Sequence, residues 1–349
     1  MDESSLTLFE DHVLGQGKFG AVVLGQLSPD WHGAVVLEQQ RVAVKSNRYL
    51  CKMRKREFLE EIEGAKEVGR HSRIVGFIGT VMKNGYVFHV MEHCGNGDLL
   101  GYLVRKRKFM VELQEKGIDL NGSLPSISDF DFNDIISIHD LYRISSQICA
   151  GMIYLSSKMI THNSLSSHHI LITTDHNVKI SDFGNISTPN TPLSTPVPGQ
   201  QKWTSLELLR GEPSTQLSDV WSYGIVLWEI FTMGGRPYYN VPDQAIRGLI
   251  EKGFRLQKPE GCTIPMYQMM RETWSDNAAD RPNFSQISQR VSNLARPTDS
   301  KDFMTISTSC DYYLDDIPTR SPCPLPHSKP EYDAAALISE SERLLGYRM

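Results

Sequence analysis

No run of about eighteen apolar residues occurs in the 349-residue chain, so a membrane-spanning helix is not expected. The nearest candidate, around Trp221 to Met233, is broken by Ser222, Tyr223, Gly224 and Glu229. The opening MDESSLTLFEDHVLG has neither a basic n-region nor an apolar h-region, which excludes a signal peptide there. Asp2 stands where myristoylation needs glycine, and the final GYRM is no prenylation box. The six cysteines show no CxxC or other metal-ligand spacing and read as reduced thiols of a cytosolic protein. A net charge of −5 leaves no dominant basic field, so nucleic acid is not the expected partner. These absences leave a soluble, cytoplasmic chain whose 40% hydrophobic content can bury a sizeable core.

Up to about residue 92 the pattern is strand-rich, with strands expected over 9–16, 21–26, 41–45, 74–81 and 87–91. One charged helical stretch, 52–68, interrupts them. From Asp98 onward helical periodicity dominates, notably over 138–156, 218–231 and 243–251. The expected architecture is α+β: a small β-rich lobe over 1–94 and a larger helical lobe over 95–297. Residues 106–134 open within a basic run, turn acidic and Ser-rich, and are expected to form a surface insertion between helices. Residues 298–349, rich in Ser, Thr, Pro and Asp, are expected to be disordered.

Gly15, Gly17 and Gly20 form a GxGxxGxV pattern within LGQGKFGAVVLG. Glycines so placed let backbone amides approach phosphates that a Cβ would block. A bare GxGxxG is more often only a tight turn, and a Rossmann site would need a helix directly after it. Here Ala21 to Gln26 reads as a second strand, which points instead to a hairpin over a phosphate. VAVK follows, and its Lys45, an edge charge in isolation, reads beside the hairpin as a phosphate-binding lysine.

The run QICAGMIYLSSKMITHNSLSSHHILITTDHNVKISDFG resembles the catalytic segment of receptor tyrosine kinases. SDVWSYGIVLWEIFTMGGRPYYN and DRPNFSQI are similar to the helices that follow it in that family, and the similarity spans roughly residues 8 to 295. QQKWTSLE and GGRPY favour the tyrosine branch over the serine/threonine branch. The resemblance implies a bilobal protein kinase fold with ATP between the lobes. It implies that Glu61, by its offset from Lys66 and GRHSRIV, pairs with Lys45. It also implies Met91 as gatekeeper and hinge contacts from Glu92 and Cys94. Val22, Ala43 and Leu171 would sandwich adenine, and Asp182 of Asp182-Phe183-Gly184 would hold a metal ion. Asp219 would anchor the catalytic loop, and Glu207 would pair with Arg281.

The departures from the family pattern carry more. Where the family reads His-Arg-Asp, this chain reads His162-Asn163-Ser164, and Ser164 has no acceptor basic enough to take a proton at neutral pH. His169 replaces the metal-binding asparagine, and imidazole suits Mg²⁺ poorly. Residues 185–204, the expected activation loop, contain no tyrosine, and Asn163 stands where an arginine pairs with loop phosphate. Ser205-Leu206-Glu207 lacks the proline of the usual Ala-Pro-Glu, which weakens the expected peptide docking. The implied protein is a pseudokinase that binds ATP weakly, with Mg²⁺ use doubtful. Its implied partners are an active protein kinase or adaptors, SH2-containing ones among them. Two alternatives stay open: an active atypical tyrosine kinase with His168 or His169 as base, and a scaffold with an empty pocket. Tyr312, Tyr313 and Tyr332, with Tyr347 further on, lie in acidic or tail contexts suited to phosphorylation and SH2-type docking. Prolines 322, 324, 326 and 330 never fall three apart, so no PxxP ligand is expected there.

Overall fold

Strands β1 (Leu6–Gly17), β2 (Gly20–Leu27), β3 (Gln40–Ser46), β4 (Phe77–Lys83) and β5 (Tyr86–Glu92) form one antiparallel sheet in a computed structural model. The structure describes residues 5–17, 19–28, 40–48, 50–118 and 135–295. The sheet order is β1-β2-β3-β5-β4. Period-two alternation divides its faces. Val42, Val44, Phe88 and Val90 pack with Leu6, Leu27 and Val81 in one cluster. Val87, out of phase with them, meets α1 (Lys52–Val68) through Phe58, Leu59 and Ile62. Ala65 and Val68 extend the same helical stripe into the core of the second lobe. Gly64 lets α1 come close to the second lobe, because a Cβ there would lie 2.2 Å from the Phe183 carbonyl oxygen.

The second lobe is helical: α2 (Leu99–Glu115), α3 (Ile138–Ser157), α4 (Leu206–Leu209), α5 (Gln216–Phe231), α6 (Asp243–Glu251), α7 (Ile264–Thr273) and α8 (Phe284–Leu294). A two-stranded ribbon, β6 (Ile170–Ile172) and β7 (Val178–Ile180), joins them. Side chains satisfy three helix starts: Ser137 with Asp140, Thr215 with Ser218, and Asn283 with Gln286 form capping boxes. α5 is buried continuously from Ser218 to Phe231, which explains its near-apolar sequence as that of a central core helix. No helix among the described residues is long and apolar enough to cross a membrane. The bilobal architecture expected from the resemblance is the one found.

Two boundaries differ from expectation. α2 runs to Glu115, so the first ten residues of the expected insertion are helical, and 119–134 lie outside the described residues. Leu99, Leu103, Met110 and Leu113 are fully buried, a helical stripe masked by its basic neighbours. Lys106 and Arg107 bury their stems: Lys106 Nζ sits 5.2 Å from the Tyr102 ring centre, and Arg107 donates to the Met233 carbonyl. Residues 74–76 are not part of β4. Instead Val75 N–H donates to Ile180 O and Ile180 N–H to Arg73 O, tying this segment to β7 in the second lobe. The expected disordered tail lies outside the described residues.

Candidate functional site

Two buried ion pairs face the cleft between the lobes. Lys45 sits opposite Val22 in the sheet, on the same face as Ala43, which pairs with Met91. Its Nζ lies 2.5 Å from Glu61 Oε1 on α1. Burial works against the ammonium, but the Glu61 and Asp182 carboxylates outweigh it and raise the Lys45 pKa, while burial raises the Glu61 pKa against the pull of Lys45. Above it, Gly15 pairs with Val22 and Gly17 with Gly20 in the β1–β2 hairpin. Gly20 has φ +100°, a turn conformation that favours glycine. At Gly15 and Gly17 a Cβ would meet nothing within 4 Å among the described residues, so packing does not demand glycine there.

The second pair joins two segments of the helical lobe. Asp182 follows β7 with φ 68°, and its Oδ2 lies 3.0 Å from His169 Nε2. His169 Nδ1 lies 2.6 Å from the Ser164 carbonyl oxygen. Both ring nitrogens thus face oxygen acceptors and both carry hydrogen, the state of an imidazolium. Burial opposes that charge, yet the Asp182 carboxylate raises the His169 pKa. Asp182 in turn is held well below the usual carboxylate range: burial opposes ionisation, and His169 and Lys45 overcome it. Ser181 N–H and Oγ both donate to the His169 carbonyl, which fixes the two segments side by side.

Ser164 is buried, and its hydroxyl lies 3.4 Å from His162 Nδ1. His162 is kept neutral, its pKa lowered to about 4 by burial and then by His169. Its Nε2 donates to Ser181 O, and its ring stands edge-on to Phe183. Asp219 on α5 accepts the His162 and Asn163 amides at 2.6 and 2.9 Å. Burial pushes Asp219 up to about 7 against those bonds. Glu207 and Arg281 form the implied bidentate pair at 2.8 and 2.7 Å. Leu171 sits on β6 and bridges Asp98, while Glu92 and Cys94 follow at the exit of β5. The Glu92 carboxylate accepts from Gly76 N–H and Lys179. Burial pushes the Cys94 thiol up to about 12, so it stays protonated. Tyr312, Tyr313 and Tyr332 lie outside the described residues.

Two contributors, Glu229 and His89, escaped the sequence reading as parts of the site, and Asn163, read there only as a lost phosphate partner, makes contacts of its own. Asn163, at φ 64°, donates through Nδ2 to Asn185 O and Ser187 Oγ, both at 2.8 Å. Thr161 and Ser187 exchange backbone hydrogen bonds beside it, so the segment after Gly184 is pinned without any phosphate. Glu229 on α5 accepts from Ser167 Oγ, Ser167 N–H and Trp203 Nε1, coupling the far end of that segment to the loop before β6. A lone carboxylate in an otherwise apolar helix was its visible signal. His89 lines a hollow behind Met91 with Glu61, Phe77 and Asp182. Neither His89 nitrogen nor Glu61 Oε2 has a hydrogen-bond partner among the described residues. A polar residue inside the apolar strand 87–91 was the signal in that case.

The sequence profile of protein tyrosine and serine/threonine kinases matches residues 8–291. Fibroblast growth factor receptor 1 of Pleurodeles waltl is 31% identical over 324 residues, covering 88% of this chain and 37% of that protein. The Xenopus laevis protein of the same name is 29% identical, with coverage of 88% and 37%. Tyrosine-protein kinase csk-1 of Caenorhabditis elegans is 31% identical over 283 residues, covering 80% and 46%. The chain spans less than half the length of these relatives. With that match running through both lobes and the cleft between them, the chain belongs to the protein tyrosine and serine/threonine kinase family, whose domain binds ATP.

Proposed function

We propose that this domain is a pseudokinase, a nucleotide-binding regulatory or scaffold module of phosphotyrosine signalling rather than a phosphotransferase. The carrying observation is the contact of His169 with both Asp182 and the Ser164 carbonyl. Phosphoryl transfer needs a residue that accepts or orients the substrate hydroxyl, and metal-neutralised phosphates. Ser164 offers a buried hydroxyl of no useful basicity. His169 cannot replace it, because both its nitrogens donate and no lone pair remains to take a proton. Nucleotide binding is supported by the Lys45–Glu61 contact and the glycine hairpin above it. In this reading Gly15, Gly17, Gly20, Val22, Ala43, Leu171, Met91, Glu92 and Cys94 frame an adenine nucleotide, held weakly, while Lys45 and Asp182 border its phosphates.

Its output is contact with an active kinase or an adaptor on the cytoplasmic side, with Tyr312, Tyr313 or Tyr332 phosphorylated in trans. The test pairs a phosphotransfer assay on purified protein with ATP-dependent melting. Background transfer together with an ATP-induced rise in Tm that Lys45→Met abolishes is expected. Robust transfer lost in Lys45→Met would make the domain an active atypical tyrosine kinase.

A further inference from the structure

Mg²⁺, which the family ordinarily uses, requires oxygen lone pairs in a near-ideal octahedron. The residues here do not fit it. Asp182 Oδ2 is engaged by His169 Nε2–H, and His169 has no free nitrogen because Nδ1–H is given to the Ser164 carbonyl. The imidazolium ring is bonded to the very carboxylate a metal would need, and its place is fixed from three directions: by the Ser164 carbonyl, by Asp182, and by the Ser181 bonds to its own carbonyl.

We infer that this cleft takes an adenine nucleotide free of divalent cation, and that Mg²⁺ opposes nucleotide binding instead of supporting it. The inference rests on the nucleotide-binding reading above. A Mg²⁺–nucleotide complex at Asp182 has to share that carboxylate with the His169 ring, which already holds Oδ2. It would crowd a dication, the ring and the Lys45 ammonium around one carboxylate in a poorly solvated site. The metal-free nucleotide leaves the His169–Asp182 contact intact. Mg²⁺ in solution also sequesters the form of ATP that the cleft accepts. The substitution of an asparagine by a histidine therefore puts a covalently attached ring where the family places an exchangeable cation.

Titration calorimetry of the purified chain with ATP, once in EDTA and once in excess MgCl₂, tests this directly. Wild type should bind ATP more tightly in EDTA than in Mg²⁺. His169→Asn should reverse the order, with Mg²⁺ tightening ATP by on the order of 10–100-fold, the scale on which groups around a metal ligand act. Wild-type binding that is as tight or tighter with Mg²⁺ overturns the metal-free inference while sparing the nucleotide reading. Binding in neither buffer, with wild type indistinguishable from Lys45→Met, removes the nucleotide reading itself. The wild-type comparison stands alone if His169→Asn fails to fold.

Discussion

Lys45–Glu61 and His169–Asp182 stand on opposite walls of one cleft, and their difference separates what this domain shares with its relatives from what sets it apart. Each couples two segments distant in sequence, and each is an ion pair drawn largely out of water. The first ties a strand to a helix and leaves the ammonium at the cleft. The second joins the end of the loop before β6 to the second residue after β7, and it uses a carboxylate oxygen that the proposed reading would otherwise give to an incoming ligand. In the reading proposed above, one part-buried ion pair prepares a site while another closes it. Burial alone does not tell them apart; the identity of the atom left facing the cleft does.

The largest effect expected from breaking the second pair is catalytic. Wild-type protein should show phosphotransfer at background, since absence of a positioned base alone costs about 10²–10⁴-fold. Ser164→Asp combined with His169→Asn restores both side chains and should lift peptide phosphorylation above wild type. Adding Asn163→Arg should bring no further gain, against what sequence comparison suggests, because it removes the Nδ2 bonds to Asn185 and Ser187. Radiometric transfer to a tyrosine peptide decides it, with a triple variant more active than the double one counting against the Asn163 role.

The first pair is next. Lys45→Met strands the Glu61 carboxylate, 2% exposed, and should cost about 3–5 kcal/mol in urea denaturation. Glu61→Ala leaves a lysine that is 22% exposed and should cost less. The double variant should recover part of the Lys45→Met loss. Equal single costs would mean that desolvation of Glu61 is not what the pair offsets.

A third buried carboxylate sharpens the contrast because it has hydrogen-bond donors and no ion pair among the described residues. Burial pushes Glu229 up to about 7 against the Ser167 and Trp203 bonds, from an ordinary 4.5. Between those values the folded state holds a proton that the unfolded chain has lost, so stability falls as pH rises through that window. The fall should reach up to about 3 kcal/mol. Glu229→Gln should flatten the profile there, its amide oxygen accepting from Ser167 N–H and Trp203 Nε1 and its NH₂ donating to a Ser167 hydroxyl turned to accept. An unchanged slope in denaturant melts from pH 4.5 to 7 would locate the titration elsewhere, with Asp219 the first alternative.

The smallest expected effect is none. Phosphotyrosine at Tyr312, Tyr313 or Tyr332 in cells should be the same in wild type and Lys45→Met, because another kinase places it. Loss of that signal in a variant that still folds and binds its partners would mean that the domain phosphorylates itself.

Much of this was legible in the residues alone. α1 was readable end to end, since Phe58, Ile62, Ala65 and Val68 repeat at helical spacing within a charged stretch. The glycine hairpin, Lys45, Glu61 and Asp182 could be found because each is a short-range pattern in fixed order, and Ser164 and His169 because they interrupt one. Local pattern failed where long side chains hid it: Lys106 and Arg107 made a buried helical face look like a surface insertion. It failed again at 74–76, whose backbone partner Ile180 lies in the other lobe.

The amino-acid sequence by itself determined the two lobes, their order, and the absence of an acid at Ser164 and of an amide at His169. These are matters of residue type and near-neighbour spacing. Only the tertiary structure decided what His169 does in its place. Its ring meets Ser164 O, five residues before it, and Asp182 Oδ2, thirteen residues after it, only because β6 and β7 pair and Ser181 docks on the His169 carbonyl. A hydrogen bond is set by distance and direction within a few tenths of an ångström, and no spacing along a chain carries that information.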